Sequence, residues 1–165
     1  MDKETVYIET SIVSYLVARP TRDLITNARQ QVTVFWWETK AQDFALYTST
    51  LVLDEAKKGD TSAAAKRLNA LAGLSVLPIT AEAIELAELL IKQHALPTKA
   101  SDDALHIAVA ALNGIHYLLT WNCRHIANAH LRPSIERTCR TAGYEPPTLC
   151  TPEELGADLV TEDSD

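Results

Sequence analysis

A chain of 165 residues with 47% hydrophobic and 22% charged side chains has the makeup of one globular domain with a real core. No apolar run is long enough to span a bilayer, and the N-terminus lacks a basic-then-apolar leader, so a cytoplasmic setting without membrane contact is expected. The formal net charge of −7 argues against nucleic-acid binding through bulk positive charge, yet admits a nucleic-acid enzyme whose acids are neutralised by cations.

Thr5-Val6-Tyr7-Ile8 is β-rich and predicts a first strand. Glu9 follows where that strand gives way to a short helical or turn segment, Ile12 to Leu16, with Thr10 or Ser11 as its cap. Arg19-Pro20-Thr21-Arg22 breaks the chain. From Asp23 to Gln42 an amphipathic helix is expected, with Ile25, Ala28, Val32, Phe35 and Trp36 on one face. Trp36 and Trp37 cannot both face inward on it, so one covers the sheet and the other is left for packing or a partner chain. Phe44 to Tyr47 predicts a second strand. Ser49 or Thr50 then caps a helix that carries Glu55 and ends at Lys57-Lys58-Gly59. A helix over Ser62 to Ala72, a strand over Leu74 to Leu77 and a helix from Thr80 to about His94 follow.

Pro97-Thr98-Lys99-Ala100 leads into Ser101 to Leu112, the most informative stretch of the chain. Ala104, Ile107, Ala108 and Ala111 recur at helical spacing and ask for a buried face. Their small side chains allow close packing on a flat partner such as a sheet. Ser101 is the expected N-cap, and Asp102 and Asp103 fall in the first turn, where the helix dipole favours negative charge. Asp102 reads as a solvated neighbour. Asp103 reads either as a first-turn acid or as part of a site. Tyr117 to Thr120 is an apolar fourth strand with Trp121-Asn122 at its end. A helix over Pro133 to Thr141, a short strand over Thr148 to Cys150 and a capping box at Thr151-Pro152-Glu153-Glu154, opening a last short helix, complete the pattern. Residues 158–165 hold four acids and no base and read as a solvated tail.

Strands alternate with helices throughout. The expectation is an α/β fold, a three-layer α/β/α sandwich on a mostly parallel sheet of four to five strands, filling residues 1–157 as a single domain. None of the five glycines lies in a GxGxxG or GxxxxGK arrangement, which removes the two commonest nucleotide-binding readings. The three cysteines, Cys123, Cys139 and Cys150, have no paired metal spacing and read as reduced thiols.

Four polar residues occupy comparable places. Glu9 and Asn122 end strands, Glu55 follows the second strand, and Asp103 opens a helix. In an open α/β sheet the carboxyl ends of the strands form the usual ligand crevice. Three carboxylates and a carboxamide gathered there repel one another unless cations join them, and an all-oxygen set suits Mg²⁺ or Mn²⁺ rather than zinc. Such a site suits phosphodiester hydrolysis. His106 and His125 do not form a metal-ligand pair and are expected in structural or surface roles.

These residues carry a resemblance. Val6-Tyr7-Ile8-Glu9-Thr10-Ser11, Leu51-Val52-Leu53-Asp54-Glu55, Asp103-Ala104-Leu105-His106-Ile107-Ala108, Leu118-Leu119-Thr120-Trp121-Asn122 and Thr151 to Leu155 resemble, in this order, the pieces of a PIN domain. That family of metal-dependent ribonucleases includes the VapC-type toxins of toxin–antitoxin pairs. The resemblance implies an acidic Mg²⁺ or Mn²⁺ pocket formed by Glu9, Glu55, Asp103 and Asn122, with Glu9, Glu55 and Asp103 catalytic. It implies Thr10 and Thr120 as supporting hydroxyls, with Thr10 supporting the first acid. It also implies an RNA substrate, a homodimer and a cognate antitoxin partner. Two positions depart from the family pattern: Glu9 and Asn122 each stand where Asp is usual. Glu9 is one methylene longer, and Asn122 offers a carbonyl oxygen without charge. A catalytically weak or inactive module that binds RNA or a protein partner is therefore the alternative reading.

Overall fold

The structure is a computed structural model and describes residues 2–156. The acidic tail expected at 158–165 lies outside the described residues. Five strands, β1 (Thr5–Ile8), β2 (Ala45–Ser49), β3 (Ser75–Leu77), β4 (Tyr117–Leu119) and β5 (Thr148–Cys150), form one sheet in the order β3-β2-β1-β4-β5. Every pairing is parallel. Seven α-helices are present among the described residues: α1 (Thr10–Val17), α2 (Leu24–Thr39), α3 (Thr50–Ala56), α4 (Thr61–Leu71), α5 (Ala81–Lys92), α6 (Ser101–Leu112) and α7 (Arg132–Thr141).

The order of the strands fixes the layers. From β1 to β3 the chain steps outward in one direction, and from β3 it jumps across β1 to β4 and steps the other way. Right-handed crossovers place the helices of the two halves on opposite faces. Accordingly α1 packs with α2, α3 and α4, while α5 packs with α6 and α7. The reversal falls between β1 and β4, which is where an open parallel sheet leaves its crevice.

β1 is the centre of the core: Val6, Tyr7 and Ile8 are all fully buried. The small residues of α6 let it sink deep, and His106 to Ala111 are buried without a break. Trp36 lies inside, stacked on Phe44, and its indole N–H donates to the Leu155 carbonyl at 3.1 Å. Trp37 is half-buried at the core's margin. Ile25, expected on the inner face of α2, is 68% exposed, as is its neighbour Leu24 at 85%, so the first turn of that helix is not covered. Burial pushes the Cys139 thiol up to about 11 and the Cys150 thiol up to about 12, so both are inert. No helix among the described residues is long and apolar enough to cross a membrane.

Three local expectations need correction. The cap of α1 is Glu9, not Thr10 or Ser11: its carboxylate accepts the Ser11 N–H. Ser101 does not cap α6, because a 3₁₀ turn over Thr98–Ala100 runs straight into the helix and makes Ser101 its first residue. The Thr151 to Glu154 capping box does form, with the Thr151 N–H donating to Glu154 Oε1 at 3.2 Å, but residues 152–156 stay in turns and no helix follows among the described residues. Gly156, at φ 98°, takes a left-handed conformation that ends the turn.

Candidate active site

Each acid is delivered by the end of an element at the crevice. Glu9 follows β1 directly, and its backbone N–H extends the β1–β4 ladder by one bond to the Leu119 carbonyl. The longer side chain is folded back: Oε2 takes the Ser11 N–H at 2.6 Å and Oε1 takes the Thr120 hydroxyl at 2.8 Å. Glu9 is 5% exposed. Thr120 joins two strand ends, since its oxygen also accepts the Asn122 N–H at 2.9 Å. The Ser11 hydroxyl accepts the Trp121 N–H and locks the turn after β4 against α1.

Glu55 lies on the second turn of α3, a helix capped by Ser49 through the Val52 N–H. Its Oε1 receives the Thr10 hydroxyl at 2.7 Å and meets His106 Nε2 at 2.7 Å. Among the described residues nothing hydrogen-bonds Oε2. Thr10 thus supports Glu55, whereas the resemblance had implied support of the first acid; that service falls to Thr120 and the Ser11 amide. Burial alone would raise the Glu55 carboxyl, but the His106 bond and charge, together with Thr10 and Lys58, hold it below the ordinary range.

His106 lies one turn beyond Asp103 on the same face of α6. Burial works against its charged form. The bond to Glu55 and the fields of Glu9, Glu55 and Asp103 outweigh that and raise its pKa. All three acids therefore act on one imidazole. Its other nitrogen, Nδ1, meets the Tyr7 hydroxyl at 2.7 Å, and that hydroxyl meets Ser49 Oγ at 2.7 Å.

Asp103 forms the second carboxylate–histidine pair. Oδ1 accepts the Asn122 amide N–H and Oδ2 meets His125 Nδ1, both at 2.9 Å. The Asn122 carbonyl oxygen accepts the His125 backbone N–H at 3.0 Å and holds the loop after β4. Asp102, by contrast, is exposed and outside the cluster.

The six residues predicted from sequence are therefore linked in one cluster: Glu9, Thr120, Asn122 and Asp103 by one run of hydrogen bonds, Thr10 and Glu55 by another, with Glu9 and Thr10 adjacent in the chain. His106 and His125 are hydrogen-bonded into it as well, through Glu55 and Asp103. His106 could have been noticed at three residues past Asp103. His125 carried no such signal, because its partner is 22 positions away.

The donor chemistry fits a hard divalent cation: carboxylate and amide oxygens, with no thiolate among the donors. The arrangement is a closed one. Among the described residues no three His, Cys, Asp or Glu side chains are grouped so as to hold an ion. Both Asp103 oxygens are engaged, and the Asn122 amide turns its N–H₂ rather than its carbonyl toward Asp103. Ion binding at these donors requires Asn122 and His125 to yield Asp103.

The family model of the PIN domain matches residues 6–129 of the chain. Among curated proteins none matches this sequence. Of solved structures, VapC20 from Mycobacterium tuberculosis, described as a toxin that cleaves the sarcin–ricin loop, is similar at 20% identity and a TM-score of 0.56, over 86% of this chain and 99% of that one. VapBC2 from Rickettsia felis, bound to a DNA fragment from its promoter, is similar at 17% identity and a TM-score of 0.49, over 73% of this chain and 89% of that one. At such identities the likeness to VapC20 speaks for the fold.

Proposed function

This chain belongs to the PIN-domain family, and on that premise we propose that it is a Mg²⁺- or Mn²⁺-dependent endoribonuclease, the toxin of a type II toxin–antitoxin pair, which hydrolyses RNA phosphodiester bonds. The observation that carries the reading is that Glu9, Glu55 and Asp103 stand at the β1–β4 crevice in one hydrogen-bonded cluster, Glu9 linked to Asp103 through Thr120 and Asn122, and Glu55 held by Thr10 and His106. Acids that face one crevice are stabilised by a cation that joins them.

In this reading Glu55 and Asp103, whose side chains are 23% and 22% exposed, offer the oxygens that hold the cation. Glu9 is nearly buried. A bound divalent ion supplies the means to activate water and to neutralise the scissile phosphate. The rest falls to the chain. His106 and Thr10 hold Glu55 ionised and in one rotamer. Thr120 and the Ser11 amide hold the Glu9 side chain in the wall. Asn122 and His125 hold Asp103 until ion and substrate replace them. The partners proposed are RNA, a cognate antitoxin and a second copy of the chain, with a cytoplasmic setting. Residues 1–157 are taken as the domain.

A second reading has its own support. The closure of Asp103 by Asn122 and His125 suits a PIN-fold module that binds RNA or a protein without cutting it. One experiment separates the two. Purified protein is incubated with structured RNA in Mn²⁺, in excess chelator, and in Mn²⁺ with Asp103→Asn. Cleavage confined to the first lane supports the nuclease. RNA retention without cleavage in all three supports the binding module, and equal cleavage in all three overturns the nuclease assignment.

A further inference from the structure

The hydrogen bonds behind His106 run through the core in one direction, and nothing in the proposed chemistry uses them. They begin at a donor of fixed polarity. The Val52 backbone N–H donates to Ser49 Oγ at 3.2 Å. Ser49 is fully buried, and its only other hydrogen-bond partner among the described residues is the Tyr7 hydroxyl at 2.7 Å. The Ser49 hydrogen therefore goes to Tyr7. The Tyr7 hydrogen then goes to His106 Nδ1, its one remaining neighbour. In the neutral imidazole that leaves Nδ1 an acceptor and puts the hydrogen on Nε2, facing Glu55 Oε1 at 2.7 Å. In the opposite sense Ser49 Oγ would receive two hydrogens, and its own would have no acceptor in a site sealed from water. Burial, opposed by Ser49 and aided by the nearby Glu9 and Glu55 charges, raises the Tyr7 hydroxyl's pKa far above its usual range, so it keeps the proton it has to donate.

We propose that the buried relay Val52–Ser49–Tyr7 fixes the neutral form of His106 as its Nε2–H tautomer, and so makes Tyr7 and His106 positioning residues that hold Glu55 oriented for a divalent cation. The tautomer part stands on the hydrogen bonds alone. The cation part rests on the nuclease reading above.

The test has two readouts. Protein labelled with ¹⁵N-histidine is examined by two-bond ¹⁵N–¹H correlation, at a pH above the titration of His106, with no metal present. The expected spectrum has a protonated Nε2 and a bare Nδ1 for His106. In Tyr7→Phe the preference collapses toward a mixture. Mn²⁺ affinity, read by electron paramagnetic resonance or calorimetry rather than by activity, is expected to fall about tenfold, as when a partner behind a metal ligand is removed. His106→Gln carries an amide N–H to the place of Nε2 without needing Tyr7. In that background Tyr7→Phe is expected to cost no further affinity, a coupling that a general loss of packing would not produce. Should Tyr7→Phe fail to fold, Ser49→Ala cuts the same relay one bond earlier and is expected to weaken the same tautomer preference.

A protonated Nδ1 in the wild type, or a tautomer preference unchanged in a folded Tyr7→Phe, overturns the proposal. An unchanged Mn²⁺ affinity in a Tyr7→Phe that has lost the tautomer preference overturns its cation part. Absence of Mn²⁺ binding by the wild type overturns the nuclease reading and the cation part with it, while the tautomer result still decides the relay.

Discussion

The two carboxylate–histidine pairs share one chemistry and differ in what stands behind them. Glu55–His106 is backed by the core: the imidazole is 2% exposed and its far nitrogen is tied through Tyr7 to Ser49. Asp103–His125 is backed by a loop: the His125 ring is 15% exposed, and its backbone N–H is held by the Asn122 side chain. The first pair cannot part without leaving buried polar groups unmatched. The second can part and hand both members to water. The lesson is that one wall of the crevice is built and the other is releasable, which suits a site that must admit a ligand at Asp103 while Glu55 stays fixed.

The sharpest way to break the comparison is Asp103→Asn. It keeps the shape and removes the charge of the releasable wall. Mn²⁺-dependent RNA cleavage should fall by more than about 100-fold, beyond what loss of a partner behind a ligand costs, as measured by initial rates on one RNA. Next comes His106→Ala, which leaves Glu55 with Thr10 alone and the Tyr7 hydroxyl with Ser49 alone. It should cost about 2 kcal/mol of unfolding free energy in urea, as expected when one buried and one partly buried group each lose a partner. His125→Ala, the matching change on the loop, should cost less than about 1 kcal/mol, because its partner keeps Asn122 and gains water. The same variant frees Asp103 Oδ2, so Mn²⁺ affinity should rise rather than fall, as read by calorimetry. Equal destabilisation by the two alanines would erase the distinction between the walls.

The smallest effect is on pH dependence. Glu55 has its pKa lowered, so its contribution is complete above the unfolded value of 4.5 and is lost as pH falls through the folded one. His106 has its pKa raised, so its contribution is complete below the unfolded value of 6.5 and is lost as pH rises through the folded one. The pair therefore stabilises most between those two values. The difference in Tm between wild type and His106→Gln should be widest there and narrow on both sides. A flat difference from pH 4 to 9 would mean that the pair adds nothing.

Local chemistry was the part of the molecule open to reading from sequence. Asp23, Ser49, Asp60 and Thr80 each cap the helix that follows them, as short polar side chains at a helix start do. The strands at Thr5–Ile8 and Thr148–Cys150 lie where their β-rich runs put them. Glu9, Glu55, Asp103 and Asn122 could be singled out because position at a strand or helix end is itself a sequence property. Their partners were not. His106 bonds to a residue 51 positions away and Tyr7 to one 99 positions away, and no periodicity encodes such meetings. The same limit explains Ser101: a cap was expected from residue type, and the preceding 3₁₀ turn displaced it.

The pairing of β1 with β4 has a consequence for how the molecule is made. The bond from Thr120 to Glu9 closes a loop of 111 positions, and β1 remains an open edge until β4 arrives. Closing so long a loop is slow, and a bare apolar edge invites other chains meanwhile. A ribosome that stalls before residue 117 releases a chain with Glu9 and Glu55 in hand, no covering strand, and an adhesive margin. Truncation before β4 is therefore expected to favour aggregation.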